Sequence, residues 1–165
     1  MDNKVVLIGC GNVGMAYAYS LMNQKTHVSE LALIDLNKER VSGEVLDLNH
    51  CNQFAGTKMK IKVGDYEDCK DARIVVIAAG SNQEVGETRM DLIHKNSKIF
   101  KSIVDNVMNS GFHGIFIVAT NPLDVMTYLT WKYSGFDTSK VIGTGTILDS
   151  ARLKFLLGEK LGIRP

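Results

Sequence analysis

The chain has 165 residues, enough for one domain with a substantial core and too few for two of ordinary size. Its composition, 45% hydrophobic and 22% charged, excludes a disordered tail or a fibrous repeat. Lys and Arg total 19 against 18 for Asp and Glu, a net charge of +1, so neither nucleic acid nor an anionic membrane is expected as a partner.

The longest apolar stretch, from Ile74 to Ala79, falls far short of the ~20 residues a membrane span needs. The start, Met1-Asp2-Asn3-Lys4, has no basic region or cleavage site, so no signal peptide is expected. Cys10, Cys51 and Cys69 are odd in number and lack metal-ligand spacing, so neither a disulfide nor a metal site is expected. A soluble, cytoplasmic single domain follows.

In chain order, the first predicted strand is Lys4–Ile8, followed by a helical stripe of Val13, Ala16, Tyr17 and Leu21. A second strand, Leu31–Asp35, precedes a stripe of Val41, Val45 and Leu48. Strands Met59–Val63 and Ile74–Ala78 come next, and then the clearest helix, Asp91–Ser110. Its stripe is Leu92, Ile93, Ile99, Phe100, Ile103, Val104, Val107 and Met108. Strands Ile115–Ala119 and Val141–Ile142 follow, and a helix through Ile147, Ala151 and Phe155 closes the order. The strands are rich in Val and Ile and mostly do not alternate, as expected of parallel strands buried on both faces. Strands alternating with helices predict an α/β fold: a doubly wound, mostly parallel six-stranded sheet of Rossmann type in the order 3-2-1-4-5-6. The polar, Gly-bearing segment Gly80–Arg89 reads as a candidate lid.

Gly9-Cys10-Gly11-Asn12-Val13-Gly14 is G-x-G-x-x-G, placed directly after a strand and opening a helix. Gly9 permits the tight turn, Gly11 lets backbone approach a pyrophosphate, and Gly14 lets the helix pack on the strand. Asp35 ends the second strand, 21 residues after Gly14. An acid there accepts from the adenosine ribose hydroxyls and repels a 2′-phosphate, which favours NAD over NADP. Cys10 fills a slot that takes a small residue. Tyr66 and Lys70 fit a Tyr-x-x-x-Lys spacing, but they precede the fourth strand rather than lying on a long helix, so the match is set aside.

A second polar set follows the later strands: Gln83 and Arg89, then Asn121-Pro122, then Asp149 and Arg152. In a doubly wound sheet these loops converge on one crevice. Two arginines, an amide and a carboxylate there suit a small anionic substrate. Read without the fold, the arginines are solvated charges and Asp149 is a helix-end partner.

Three segments make the set recognisable: Ile77 to Arg89 with Gly80-Ser81-Asn82-Gln83 and Gly86-Glu87-Thr88-Arg89, Val118 to Asp124 with Thr120-Asn121-Pro122, and Ile142 to Arg152 with Gly143-Thr144-Gly145-Thr146. Together they resemble the L-lactate dehydrogenases of bacteria, with the malate dehydrogenases as nearest relatives, over the whole chain. The resemblance implies that Arg89 polarises the substrate carbonyl and that Arg152 grips the carboxylate as a bidentate fork. It makes Arg89 and Asp149 catalytic and puts Gln83, Asn121 and Asp124 with Arg152 on the substrate side. It lines the NAD site with Val13, Arg40, Tyr66, Gly80, Ser81 and Ser102. Ala119, Thr120, Asn121 and Thr144 complete that lining.

The resemblance also implies a small 2-hydroxy or 2-oxo acid substrate, a homotetrameric parent and no metal. The family's catalytic histidine belongs to a Gly-Glu-His-Gly segment beyond Arg152, and His27, His50, His94 and His113 lie in other contexts. Residues 1–165 therefore read as the NAD-binding half of a lactate dehydrogenase, without its C-terminal catalytic domain and inactive alone. Lys154 stands where allosteric relatives use an arginine for fructose 1,6-bisphosphate, and it lacks the planar fork. The alternatives are a malate or other 2-hydroxy acid dehydrogenase, or a stand-alone NAD-binding module without turnover.

Overall fold

The computed structural model describes residues 3–24, 26–56, 58–81, 84 and 86–164. Strand β1 (Lys4–Ile8) leads to helix α1 (Asn12–Asn23), and β2 (Glu30–Ile34) leads to α2 (Lys38–Asn52). Then come β3 (Lys60–Val63), a one-turn 3-10 helix (Tyr66–Cys69), β4 (Ile74–Ile77) and the long α3 (Arg89–Asn109). Strand β5 (Ile115–Val118), α4 (Leu123–Ser134), β6 (Val141–Gly143) and α5 (Ile147–Leu161) complete the order. The six strands form one sheet in the order β3-β2-β1-β4-β5-β6, as expected from the sequence. Every pairing is parallel.

The β1 residues Val5 to Ile8 are all buried, which is why the strand carries no alternation. Alternate residues feed two cores. Val6, Ile8, Val75, Ile77, Phe116 and Val118 pack with Phe100, Ile103, Val104 and Val107 of α3 and Met126 of α4. Val5, Leu7, Leu31, Leu33 and Val76 face the other way, toward Ala18 and Met22 of α1 and Val41 and Leu48 of α2.

The α1 stripe differs in part from the one read in the sequence: Tyr17 and Leu21 pack against the core, partly buried, as expected, but Ala16 is exposed. The helix's buried residues are Gly14, Ala18 and Met22, whereas Val13 is 59% exposed. Small residues at Gly14 and Ala18 let the helix backbone approach the sheet closely, so proximity rather than side-chain size selects that face. Helix α5 differs more: Ile147, Leu153, Phe155, Leu156 and Leu161 are all exposed, and only Gly158 is buried.

Near the N-terminal ends of the strands, an ion cluster fills the sheet face. Lys4 Nζ lies 2.6 Å from Asp71 and 3.2 Å from Asp68, while Lys62 Nζ lies 2.6 Å from Asp68 and 3.1 Å from Glu30. No helix among the described residues is long and apolar enough to cross a membrane.

Candidate functional site

The carboxyl ends of the strands form the crevice. Hydrogen bonding continues past the strand ends, from Gly9 N–H to Ile34 O, Ala78 N–H to Ile8 O, Ala119 N–H to Ile77 O and Thr144 N–H to Val118 O, all 2.8–3.0 Å. Four loops are thereby fixed side by side.

At the β1 end the chain turns through Gly9 with φ of +100°, a conformation that side chains rarely adopt. A Cβ at Gly9 would strike the backbone of Ala79, and one at Gly14 would strike the carbonyl oxygen of Gly9. A Cβ at Gly11 would meet no protein atom within 4 Å. Two glycines are thus required by the protein's own packing, while the third faces an open cradle. No side chain caps the start of α1, so its first N–H groups stay available to an anion.

Asp35 lies one residue beyond β2 and points at this turn. Its Oδ2 accepts from Cys10 N–H at 2.7 Å and its Oδ1 from Asn37 N–H at 2.9 Å. Each carboxylate oxygen retains acceptor capacity for further donors. The cradle and the acid fit a dinucleotide with an unmodified adenosine ribose. Cys10 is fully buried and its Sγ sits 3.8 Å from Ile34 O. Burial, reinforced by the Asp35 charge, pushes its thiol up to about 12.

The other expected lining residues sit around this edge. Arg40 is exposed in the first turn of α2 and pairs with Glu44 at 3.6 Å. Tyr66 is half-buried against the core, and burial raises its hydroxyl above the usual value. It lies on the one-turn helix rather than within a long one, so the Tyr66–Lys70 spacing stays set aside. Ser102 and Asp124 are exposed on α3 and α4, Val13 on α1.

In the β4–β5 loops, Thr120 Oγ1 donates to Ala79 O at 2.8 Å, and the Asn121-Pro122 peptide is cis. Asn121 itself is exposed. Asn96 of α3, absent from the sequence reading, is fully buried and bonds to both Ser81 and the Asn121 carbonyl. A signal existed: Asn96 is a polar residue between Leu92 and Phe100 on the helix's apolar stripe.

Gln83 lies outside the described residues. Arg89 is the first residue of α3 and is exposed, and it forms no ion pair with a described residue. The helix begins with a capping box between Thr88 and Asp91, and Lys95 holds Glu87 at 2.7 Å and Glu84 at 3.2 Å. Described parts of the candidate lid are therefore fastened to α3. Asp149 and Arg152 share a face of α5, as their spacing predicts, and pair with each other at 3.2 Å. Both are well exposed, and Lys154 is exposed on the same helix. No group of three or more His, Cys, Asp or Glu among the described residues could hold a metal ion.

Comparison with known proteins agrees with this geometry. A family model described as lactate/malate dehydrogenase, NAD binding domain, matches residues 3–143. The L-lactate dehydrogenase of Halalkalibacterium halodurans is 58% identical over 163 residues, covering 99% of this chain and 52% of that protein. That of Geobacillus sp. is 59% identical, with 99% and 51% covered. Among solved structures, the minor L-lactate dehydrogenase of Enterococcus mundtii in its ligand-bound form superposes with a TM-score of 0.96 at 46% identity. It covers 99% of this chain and 52% of that one. A lactate dehydrogenase from a Medee basin deep-sea metagenome library gives 0.93 at 52% identity, with 98% and 51% covered. The chain spans about half the length of the relatives it matches. A glycine turn clamped by an acid, in a sheet of this order and with this profile match, places the chain in the lactate/malate dehydrogenase family, within its NAD-binding domain.

Proposed function

We propose that the chain is the NAD-binding half of an L-lactate dehydrogenase and works with a second half to interconvert L-lactate and pyruvate. The carrying observation is Asp35, fastened at 2.7 Å to a glycine turn whose Gly11 cradle is open. The 58–59% identity to L-lactate dehydrogenases supports the choice of reaction.

In this reading, NAD supplies the hydride acceptor. Gly9, Gly11 and Gly14 shape the backbone that receives the pyrophosphate, and Asp35 accepts from the adenosine ribose. Val13, Arg40 and Tyr66 flank the adenosine side. Gly80, Ser81, Ala119, Thr120 and Thr144 floor the other, and Ser102 of α3 completes the lining.

Arg89, free of carboxylate partners among the described residues, polarises the carbonyl as it turns inward and stabilises the developing oxyanion. Arg152 grips the substrate carboxylate, with Asn121 and Asp124 on the same side. Its present pair with Asp149 is exposed, and such pairs are worth only about 0–1 kcal/mol, so exchange for a substrate carboxylate costs little. Asp149 is then free to orient a histidine of the second half and stabilise its cationic form. The working enzyme is a cytoplasmic homotetramer in this reading. The free cysteines Cys10, Cys51 and Cys69 suit a reducing compartment, and the exposed apolar side chains of α5 suit a covering partner.

Gln83 separates lactate from malate. A neutral amide leaves malate's second carboxylate without a partner in a closed pocket, which costs several kcal/mol, while a methyl group pays no such penalty. In the full-length enzyme, Gln83→Arg swings kcat/KM from pyruvate toward oxaloacetate. An unchanged ratio overturns the lactate assignment.

A further inference from the structure

Asn96 lies in α3 in line with Phe100, Ile103, Val104 and Val107, and its exposure is 0%. A buried amide on such a stripe is costly unless its polar atoms are engaged. Here they are. Oδ1 accepts from Ser81 N–H at 2.9 Å and from Ser81 Oγ at 3.3 Å, and Nδ2 donates to the Asn121 carbonyl at 3.2 Å. Thr130, equally buried on α4, satisfies its hydroxyl within its own helix by donating to Met126 O. Asn96 instead reaches residues 15 and 25 positions away in sequence.

Those two partners belong to different loops. Ser81 follows β4 and Asn121 follows β5, so this side chain bridges the two loops directly, beside the Thr120 Oγ1 bond to Ala79 O at 2.8 Å. The surroundings leave little slack: a Cβ at Gly80 would meet Thr120 Cγ2 at 2.7 Å and the Asn96 amide at 3.4 Å. Holding the Asn121 carbonyl fixes its peptide plane, and with it the direction in which the exposed Asn121 side chain leaves the backbone. In a doubly wound sheet one mononucleotide half lies over β1–β3 and the other over β4–β6. With the adenosine at Asp35, the β4–β5 floor receives the nicotinamide half.

We infer that Asn96 is a positioning residue for the nicotinamide end of the cofactor, acting through Ser81 and Asn121 rather than by contact. The inference rests on the reading of the crevice as an NAD site. Ser81 and Asn121 present their groups in one register because Asn96 ties them, and loss of the tie loosens that end alone.

The test compares NADH with ADP, which spans only the adenosine and pyrophosphate end. Dissociation constants are measured by calorimetry for the unmodified chain, Asn96→Ala and Asn96→Leu, the latter keeping the branched shape while removing every hydrogen bond. NADH affinity is expected to fall about tenfold in both, with ADP affinity within about twofold of its starting value. In the unmodified chain, amide hydrogen exchange at Ser81 is expected to slow further with NADH and not with ADP, a result that needs no variant to fold. Equal losses for NADH and ADP, an unchanged NADH affinity, or an equal response of the Ser81 amide to both ligands overturns the inference and leaves the NAD reading standing. Failure of the unmodified chain to bind either ligand overturns both.

Discussion

At the β1–β2 end of the crevice the functional groups are already fastened to the fold, whereas at the β6–α5 end they stand in solvent. Asp35 is held by two backbone N–H groups, and Gly9 and Gly14 are hemmed in by the backbone they must pass. Asp149 and Arg152 have side chains 71% and 64% exposed, on a helix whose large apolar residues are also exposed. A preorganised end can recognise its ligand unaided, because no ordering cost is left to meet on binding. An open end can act only when something covers it, excludes water and gives its charges a dry environment. The two ends thus differ in readiness: one is preorganised for the cofactor, the other leaves its charges and apolar side chains exposed.

The sharpest way to break this contrast is turnover. The 165-residue chain, assayed alone with lactate and NAD, is expected to run at least about 10²–10⁴-fold slower than a full-length relative, the usual share of general acid–base help. His27 and His113 lie on loops that return to the strands' N-terminal ends and His50 in the last turn of α2, all opposite the crevice, while His94 sits in α3 five residues after Arg89. NADH absorbance follows the reaction, and a full enzyme's rate would show the β6–α5 end to be complete already.

Asp35→Ala tests the fastened end. Loss of a charge-assisted hydrogen bond weakens NAD by about 1.5–3 kcal/mol and relaxes discrimination against NADP. Calorimetry with both cofactors checks it, and equal affinity for the two in the unmodified chain would remove Asp35 from its role.

A pair of alanine substitutions separates packing from recognition. Gly14→Ala forces a Cβ onto the Gly9 carbonyl and is expected to cost about 1–3 kcal/mol in urea unfolding. Gly11→Ala enters open space, so stability should stay within about 0.5 kcal/mol while NAD affinity falls. Equal destabilisation by both would mean that the Gly11 cradle is filled by protein.

The smallest effect concerns pH and the ion cluster. Burial pushes Glu30 and Asp68 up, but Lys62 and its neighbouring cations outweigh it and hold both below their ordinary values of 4.5 and 3.8. The unfolded chain therefore takes up protons first on acidification. Their contribution is complete above those ordinary values and drains away as pH falls through the lower folded ones. Burial lowers Lys4, but Asp71 and Asp68 win and hold it above 10.5, so its share is lost only as pH rises beyond that value. Melting temperature should be flat at neutral pH and fall in acid. Asp68→Asn should shrink the acid decline at a cost of about 1 kcal/mol. An unchanged acid limb would take Asp68 out of the cluster's energetics.

Much of this was legible in the sequence because sheet-buried strands advertise themselves. Each predicted strand lies within a residue of the observed one, and Asp35 sits just past β2 because backbone turning at the crevice starts there. Helix faces were harder. On α1 the expected Tyr17 and Leu21 pack at the edge of the core and Val13 and Ala16 are exposed, while Gly14, Ala18 and Met22 are buried against the sheet, since close backbone approach favours small residues. On α3 the apolar stripe matches the buried face, and Asn96 stands out on it as a polar member, but its two partners in distant loops leave no mark in the sequence. The roles of Arg89, Asp149 and Arg152 came from resemblance to a family. Neither spacing nor exposure distinguishes a waiting catalytic charge from a solvated one.

The burial of Cys10 has a practical side. A thiolate is the species that attacks thiol reagents, and a group titrating near 12 is almost entirely protonated at mildly alkaline pH. Cys69 is buried and shifted in the same way, whereas Cys51 is exposed at the end of α2. A maleimide dye should therefore attach at Cys51 alone while the protein is native. That gives the chain a single optical handle near β3, on the connection leading away from the glycine turn, so cofactor binding can be followed by energy transfer from the dinucleotide without altering the turn that holds it.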